Sequence, residues 1–171
     1  MPFAQDDSPY RRGTRYQMMP IPMVPEHCHP VDAGAIRLVV ESRRLTDEIL
    51  AETYGADDPR EAHVHFDDGG ASVHVCGADD GLEYLRFDCF ELEPHYHYID
   101  PREGTQVMVR IDELAVGDPE AFALDCLGTR LPGMLRFTGA TALADAVEAS
   151  HDQVVGALDE VRVLLAKSRV R

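Results

Sequence analysis

Seven of the eight histidines in this chain fall between residues 27 and 97, and six of them form three H-x-H pairs, His27/His29, His63/His65 and His95/His97. Residues two apart on a strand point to the same side of a sheet, so each such pair presents two imidazoles to one face. Imidazoles ligate Fe, Mn and Zn, and they exchange protons near neutral pH. The chemistry suggested is a metal or acid–base site on a β-sheet.

Turn residues decide which of these side chains could meet. Read as a two-residue hairpin turn, Asp68-Gly69 sets His65 opposite Ser72 and His63 opposite His74. Read as a three-residue loop ending in a left-handed glycine, Asp79-Asp80-Gly81 pairs Val75 with Leu85, Val73 with Phe87, His74 with Arg86, Ser72 with Asp88 and Cys76 with Tyr84. Both registers keep Val64, Phe66, Val73 and Val75 on one face and gather His63, His65, His74, Arg86 and Asp88 on the other. Three histidines with a carboxylate suit a divalent Fe, Mn or Zn ion. The expected ligands are therefore His63, His65 and His74, with Asp88 as a further ligand or base and Arg86 orienting an anionic group on a substrate.

His95 and His97 are secondary candidates. Pro94 ends the preceding strand, and His95-Tyr96-His97-Tyr98 begins another with both imidazoles on one side. For any single pair the competing expectation is a polar face turned to solvent, and for Arg86 and Asp88 a cross-strand ion pair. His63-x-His65 resembles the first motif of the cupins. The glutamate that motif carries a few residues later is replaced by the turn aspartates of Phe66-Asp67-Asp68-Gly69-Gly70, and no second cupin motif follows, so no membership is assigned.

The elements that must position these groups read as α+β. Residues 62–112 alternate apolar and polar side chains between D-G and E-G turns, the pattern of an antiparallel meander. Before it, Asp32 as N-cap and Gly55 just past the end predict a helix over about 33–54, although Ile36, Leu38 and Val40 also alternate like a strand. After it, Asp118 and Pro119 open a helix that stops near Gly128. A last helix is expected over about 141–168, with Val147, Val154, Leu158, Val161 and Leu165 on one stripe that also carries His151. Residues 1–31 hold six prolines and the apolar run Met18-Met19-Pro20-Ile21-Pro22-Met23-Val24-Pro25. They read as an extended arm on a single α+β domain over 32–171, built to lie in a groove of its own body or of another subunit.

Bulk composition narrows the function. A net charge of −15 over 171 residues repels phosphate backbones and anionic lipid, so neither nucleic acid nor a membrane is an expected partner. No run approaches the roughly 18 apolar residues of a membrane span. The first residues lack the basic start and apolar run of a secretory signal, so a cytoplasmic location is expected. Cys28, Cys76, Cys89 and Cys126 form no C-x-x-C motif and read as small packed thiols. Two functions from different classes fit: a small metal-dependent enzyme using the histidine face, or a non-catalytic accessory subunit. The second would join a homo-oligomer or hetero-complex through the proline-rich arm and the last helix.

Overall fold

Alternation along the central strands sorts the sheet into an apolar face and a polar one. The computed structural model describes residues 12–60 and 64–169. Its strands are β1 (Thr14–Tyr16), β2 (Cys28–Ala33), β3 (Ile36–Thr46), β4 (Asp67–Gly77), β5 (Glu83–Phe90), β6 (His95–Asp100) and β7 (Thr105–Arg110). They make one seven-stranded antiparallel sheet in the order β1-β7-β6-β5-β4-β3-β2. The helices are α1 (Asp47–Tyr54), α2 (Glu113–Val116), α3 (Pro119–Thr129), α4 (Leu131–Phe137), α5 (Thr141–Ala149) and α6 (His151–Ser168). The fold is α+β: a meander from β2 to β7, with the C-terminal helices on one face.

On that face, Leu38 stands opposite Val75 and Val40 opposite Val73, and the rows continue through Leu85 to Tyr98 and through Phe87 to Tyr96. Helix α6 packs on β2, β3 and β4, while α3 and α4 pack on β5 and β6. Val154, Val161 and Leu165 of α6 are at most 1% exposed, and burying each such side chain stabilises the fold by about 1.5–3 kcal/mol. Asp118 caps α3 as its sequence position suggests, its carboxylate accepting from the Ala121 amide at 3.2 Å. No described helix is long and apolar enough to cross a membrane.

Three local expectations are corrected. Residues 36–46 are strand, and the helix begins only at Asp47, capped by the Thr46 hydroxyl, and ends at Gly55 as expected. Strand wins here because Leu38 and Val40 extend the apolar rows of β4, while β2 and β4 satisfy the backbone on both sides. Asp68-Gly69 is not a hairpin turn: β4 runs through it, paired with β3 down to Thr46↔Asp67. The Asp68 carboxylate instead accepts from the amides of Gly69, Leu92 and Glu93, tying down the β5–β6 connection. The expected last helix is two helices, broken at Ser150 between α5 and α6. By contrast, the derived pairings Ser72↔Asp88, Val73↔Phe87, His74↔Arg86 and Val75↔Leu85 all form. Only the last step differs, because a bulge after Val75 sets Cys76 opposite Glu83 rather than Tyr84.

The proline-rich segment is part of the sheet's own architecture. Strands β1 and β2 are adjacent in sequence but occupy opposite edges, so residues 17–27 must cross between them. They cross the polar face as a strap. Tyr54 donates to the Met19 carbonyl (3.0 Å), and Arg43 donates to those of Ile21 (3.2 Å) and Pro22 (3.3 Å). Arg86 donates to Ile21 at 2.6 Å, and the Val24 amide donates to Glu41 at 2.8 Å. Pro20 and Ile21 are buried beneath these contacts.

Candidate metal centre

Among the described residues the polar face carries two cross-strand clusters, both largely buried. The first joins β4, β5, β6 and β7. Asp88 faces Ser72 on one side and His95 on the other, and His97 lies two residues further along β6, on the same face. Asp88, His95 and His97 are 1%, 8% and 6% exposed. The His97 Nε2 lies 3.0 Å from Asp88 Oδ2, and the His95 Nε2 lies 3.3 Å from the same oxygen. The Ser72 hydroxyl donates to the other oxygen, Oδ1, which fixes the carboxylate plane. The two imidazoles meet edge to face with ring centres 4.9 Å apart, and Phe90 packs edge-on against His95.

The far side of each ring sets its tautomer. His95 Nδ1 donates to the backbone carbonyl of Glu93 at 2.7 Å, and His97 Nδ1 donates to the amide oxygen of Gln106 at 2.6 Å. A neutral imidazole holding its proton on Nδ1 has a bare lone pair on Nε2. Both Nε2 atoms are therefore turned toward an oxygen that is itself only an acceptor when ionised. Burial would push Asp88 up, but its contacts with His95 and His97 outweigh this and hold it well below the usual carboxylate range. Burial lowers both histidines; for His95 the bond to Asp88 more than offsets it and the net shift is upward, whereas His97 stays below its ordinary value. The cluster thus sets an ionised carboxylate against two imidazole Nε2 atoms, a place that favours a cation. One donor atom from each of the three residues lies within 4.8 Å of the others, and together they could hold a metal ion.

The second cluster joins β3, β4 and β5 and holds the strap. His74, wholly buried, has Nε2 2.8 Å from Glu41 Oε2 and Nδ1 2.6 Å from Glu83 Oε1. Arg43 donates to Glu41 at 2.7 Å. Arg86 grips both oxygens of Glu83, each at 2.8 Å. Burial opposes ionisation of Glu83, yet Arg86 and His74 bring its pKa down to about 2.

A pocket of about 310 Å³ opens between the first cluster and the strap. Its floor is Arg86, Asp88, His95, His97 and Gln106. Met18, Pro20 and Ile21 of the strap, Leu50 and Tyr54 of α1, and Val64 and Phe66 before β4 supply apolar walls.

Of the side chains proposed from sequence, the structure brings together Asp88, His95 and His97. His63 lies outside the described residues. His65 is exposed and sits 3.0 Å from Asp47, away from the buried His74 with its two glutamates. Arg86 is committed to Glu83 and the Ile21 carbonyl, which makes it a tether for the strap. Glu41, Glu83 and Gln106 escaped sequence reasoning. Glu41 was hidden by the helical reading of 36–46, while the alternation that placed Asp88 could have been carried across Pro94 to reach His95.

Fold and site together define an α+β protein with a buried two-histidine, one-carboxylate cluster beneath a strap. The chain belongs to the family described as Domain of unknown function (DUF7700), whose model matches residues 30–164. No curated protein and no solved structure matches the chain.

Proposed function

We propose that this protein is a small metal-dependent enzyme whose divalent ion, Fe, Mn or Zn, is held by Asp88 Oδ2, His95 Nε2 and His97 Nε2. One observation carries the reading: in a buried site, two imidazole nitrogens with their protons committed elsewhere are aimed at one carboxylate oxygen. Three acceptor atoms gathered in a buried site require a cation between them, a proton on an imidazole or a metal ion, because acceptor facing acceptor is relieved by neither solvation nor hydrogen bonding. Two ligands about 2.1 Å from a common ion at right to tetrahedral angles are themselves roughly 3.0–3.4 Å apart. The separations of 3.0 and 3.3 Å at Asp88 agree with that. The partners on the far sides of the rings, a backbone carbonyl and a side-chain amide, are of the kind that orient metal-binding histidines.

Two histidines and one carboxylate leave coordination positions open for water and substrate, the arrangement of non-haem Fe(II) oxygenases and of other mononuclear centres. The ion would supply Lewis acidity at the pocket floor. Ser72 holds the Asp88 carboxylate, Gln106 and Glu93 hold the imidazoles, and the strap forms part of the pocket wall above them. Arg86 serves by fixing the strap.

Metal analysis by inductively coupled plasma mass spectrometry on untagged protein tests the reading. About one Fe, Mn or Zn per chain is expected in the wild type and in His65→Ala, and none in His95→Ala/His97→Ala. A folded wild type with no metal, or metal retained in the double variant, would refute the site.

A further inference from the structure

Resting on that metal reading, we propose that the pocket binds a small molecule with an apolar body of about two fused rings and a single monoanionic oxygen head, a carboxylate or a phenolate, directed at the Asp88/His95/His97 centre.

Volume sets the body. A cavity of about 150 Å³ accommodates one benzene ring, so 310 Å³ suits roughly twice that. It falls at the low end of the range of about 300–1,000 Å³ for small-molecule sites. Wall chemistry sets the polarity of the body. Ile21, Leu50, Tyr54 and Phe66 above the floor, and Met108 beside His97 on the sheet, line the pocket and offer contact area but few partners for the hydroxyls of a sugar or nucleoside.

Charge sets the head. Each arginine lining the pocket has a carboxylate of its own: Arg86 is paired with Glu83, Arg60 with Asp47 and Asp58, and Arg110 with Glu93. None brings uncompensated positive charge to a ligand. Among the described residues of the pocket the remaining positive centre is the metal ion, whose two charges are halved by Asp88, with both histidines neutral ligands. One net positive charge at the floor attracts one negative charge. A phosphate ester would bring two and meet, among the described residues of the pocket, only arginines already paired with carboxylates, and a cationic ligand would be repelled. The head also has to reach the floor past a strap tethered by Arg86, Arg43 and Tyr54, which restricts it to a compact oxygen group.

The test is isothermal titration calorimetry of the full chain, metal-loaded and after chelation, with three probes that share one body: 2-naphthoate, 2-naphthylmethanol and 2-naphthyl phosphate. For the loaded protein, 2-naphthoate is expected to bind at least about tenfold more tightly than either of the others. Chelation should erase its advantage over the alcohol, and Met108→Trp and, separately, Met18→Trp should abolish binding of all three. The proposal is overturned if the phosphate binds best, if no probe binds, or if binding survives both pocket-filling substitutions. Metal present by elemental analysis, with alcohol and carboxylate bound equally, overturns the ligand class and leaves the metal reading standing. Metal absent, with alcohol and carboxylate bound equally before and after chelation, overturns the metal reading and the monoanionic head together.

Discussion

Gln106 and His97 are neighbours across two strands, and the amide oxygen of the first receives the Nδ1 proton of the second at 2.6 Å. That contact turns Nε2 of His97 toward Asp88. Replacing Gln106 with leucine frees the ring to change tautomer or rotate. Metal affinity is expected to fall by about 10–100-fold, read by competition with a chromophoric chelator. Gln106→Glu, which still accepts the proton, is expected to keep most of the affinity.

Asp68 acts at a distance on the same site. Its carboxylate takes three backbone amides, two of them in the connection that delivers His95 to the start of β6. Asp68→Ala leaves these donors to compete for water. A loss of about 3 kcal/mol is expected from charge-assisted bonds of this kind, measured by urea denaturation, together with weaker metal retention.

Glu83 makes stability depend on acid. Its pKa is held near 2, against an ordinary value of 4.5. A carboxylate whose folded pKa is depressed contributes stability that is complete above its unfolded pKa and is lost as pH falls toward the folded one. Wild-type stability is therefore expected to drop between pH 4.5 and 2, by about 3 kcal/mol from this group. Glu83→Gln should be less stable at pH 7 and show a shallower decline over that window. Denaturant midpoints measured across the pH range provide the check.

Gly34 opens the two-residue turn between β2 and β3 with φ of 72°. A Cβ there would also lie 2.9 Å from the Gln153 side chain and 3.0 Å from that of Ser150. Gly34→Ala is expected to cost at least about 1–2 kcal/mol from backbone conformation alone, seen as a lowered thermal midpoint with no change in bound metal.

The fold class was legible because it rests on local periodicity. Alternation through Val73, Val75, Leu85 and Phe87 and the left-handed turn at Gly81 suffice to derive the register of β4 against β5. Asp118 and Pro119 likewise announce a helix start that the structure confirms. Residues 36–54 were not legible in the same way. Their apolar positions satisfy both periods over short windows, and the presence of β2 and β4 as partners on both sides decides for strand up to Thr46. Asp68-Gly69 has turn composition, but an eleven-residue partner strand continues past it and keeps it extended.

The site divides along the same line. Sequence alone determined that histidines would line the polar face of an antiparallel sheet, with Asp88 and Arg86 among them, since side-chain parity on a strand is a property of the chain itself. Tertiary structure decided which histidines converge. The β5–β6 connection sets Asp88 beside His95, His74 is taken by Glu41 and Glu83 from strands remote in sequence, and the strap passes over the whole face because its two strands occupy opposite edges. Those outcomes depend on pairings between distant segments, whose free energies come from burial and hydrogen bonding in the assembled sheet, so no local pattern could contain them.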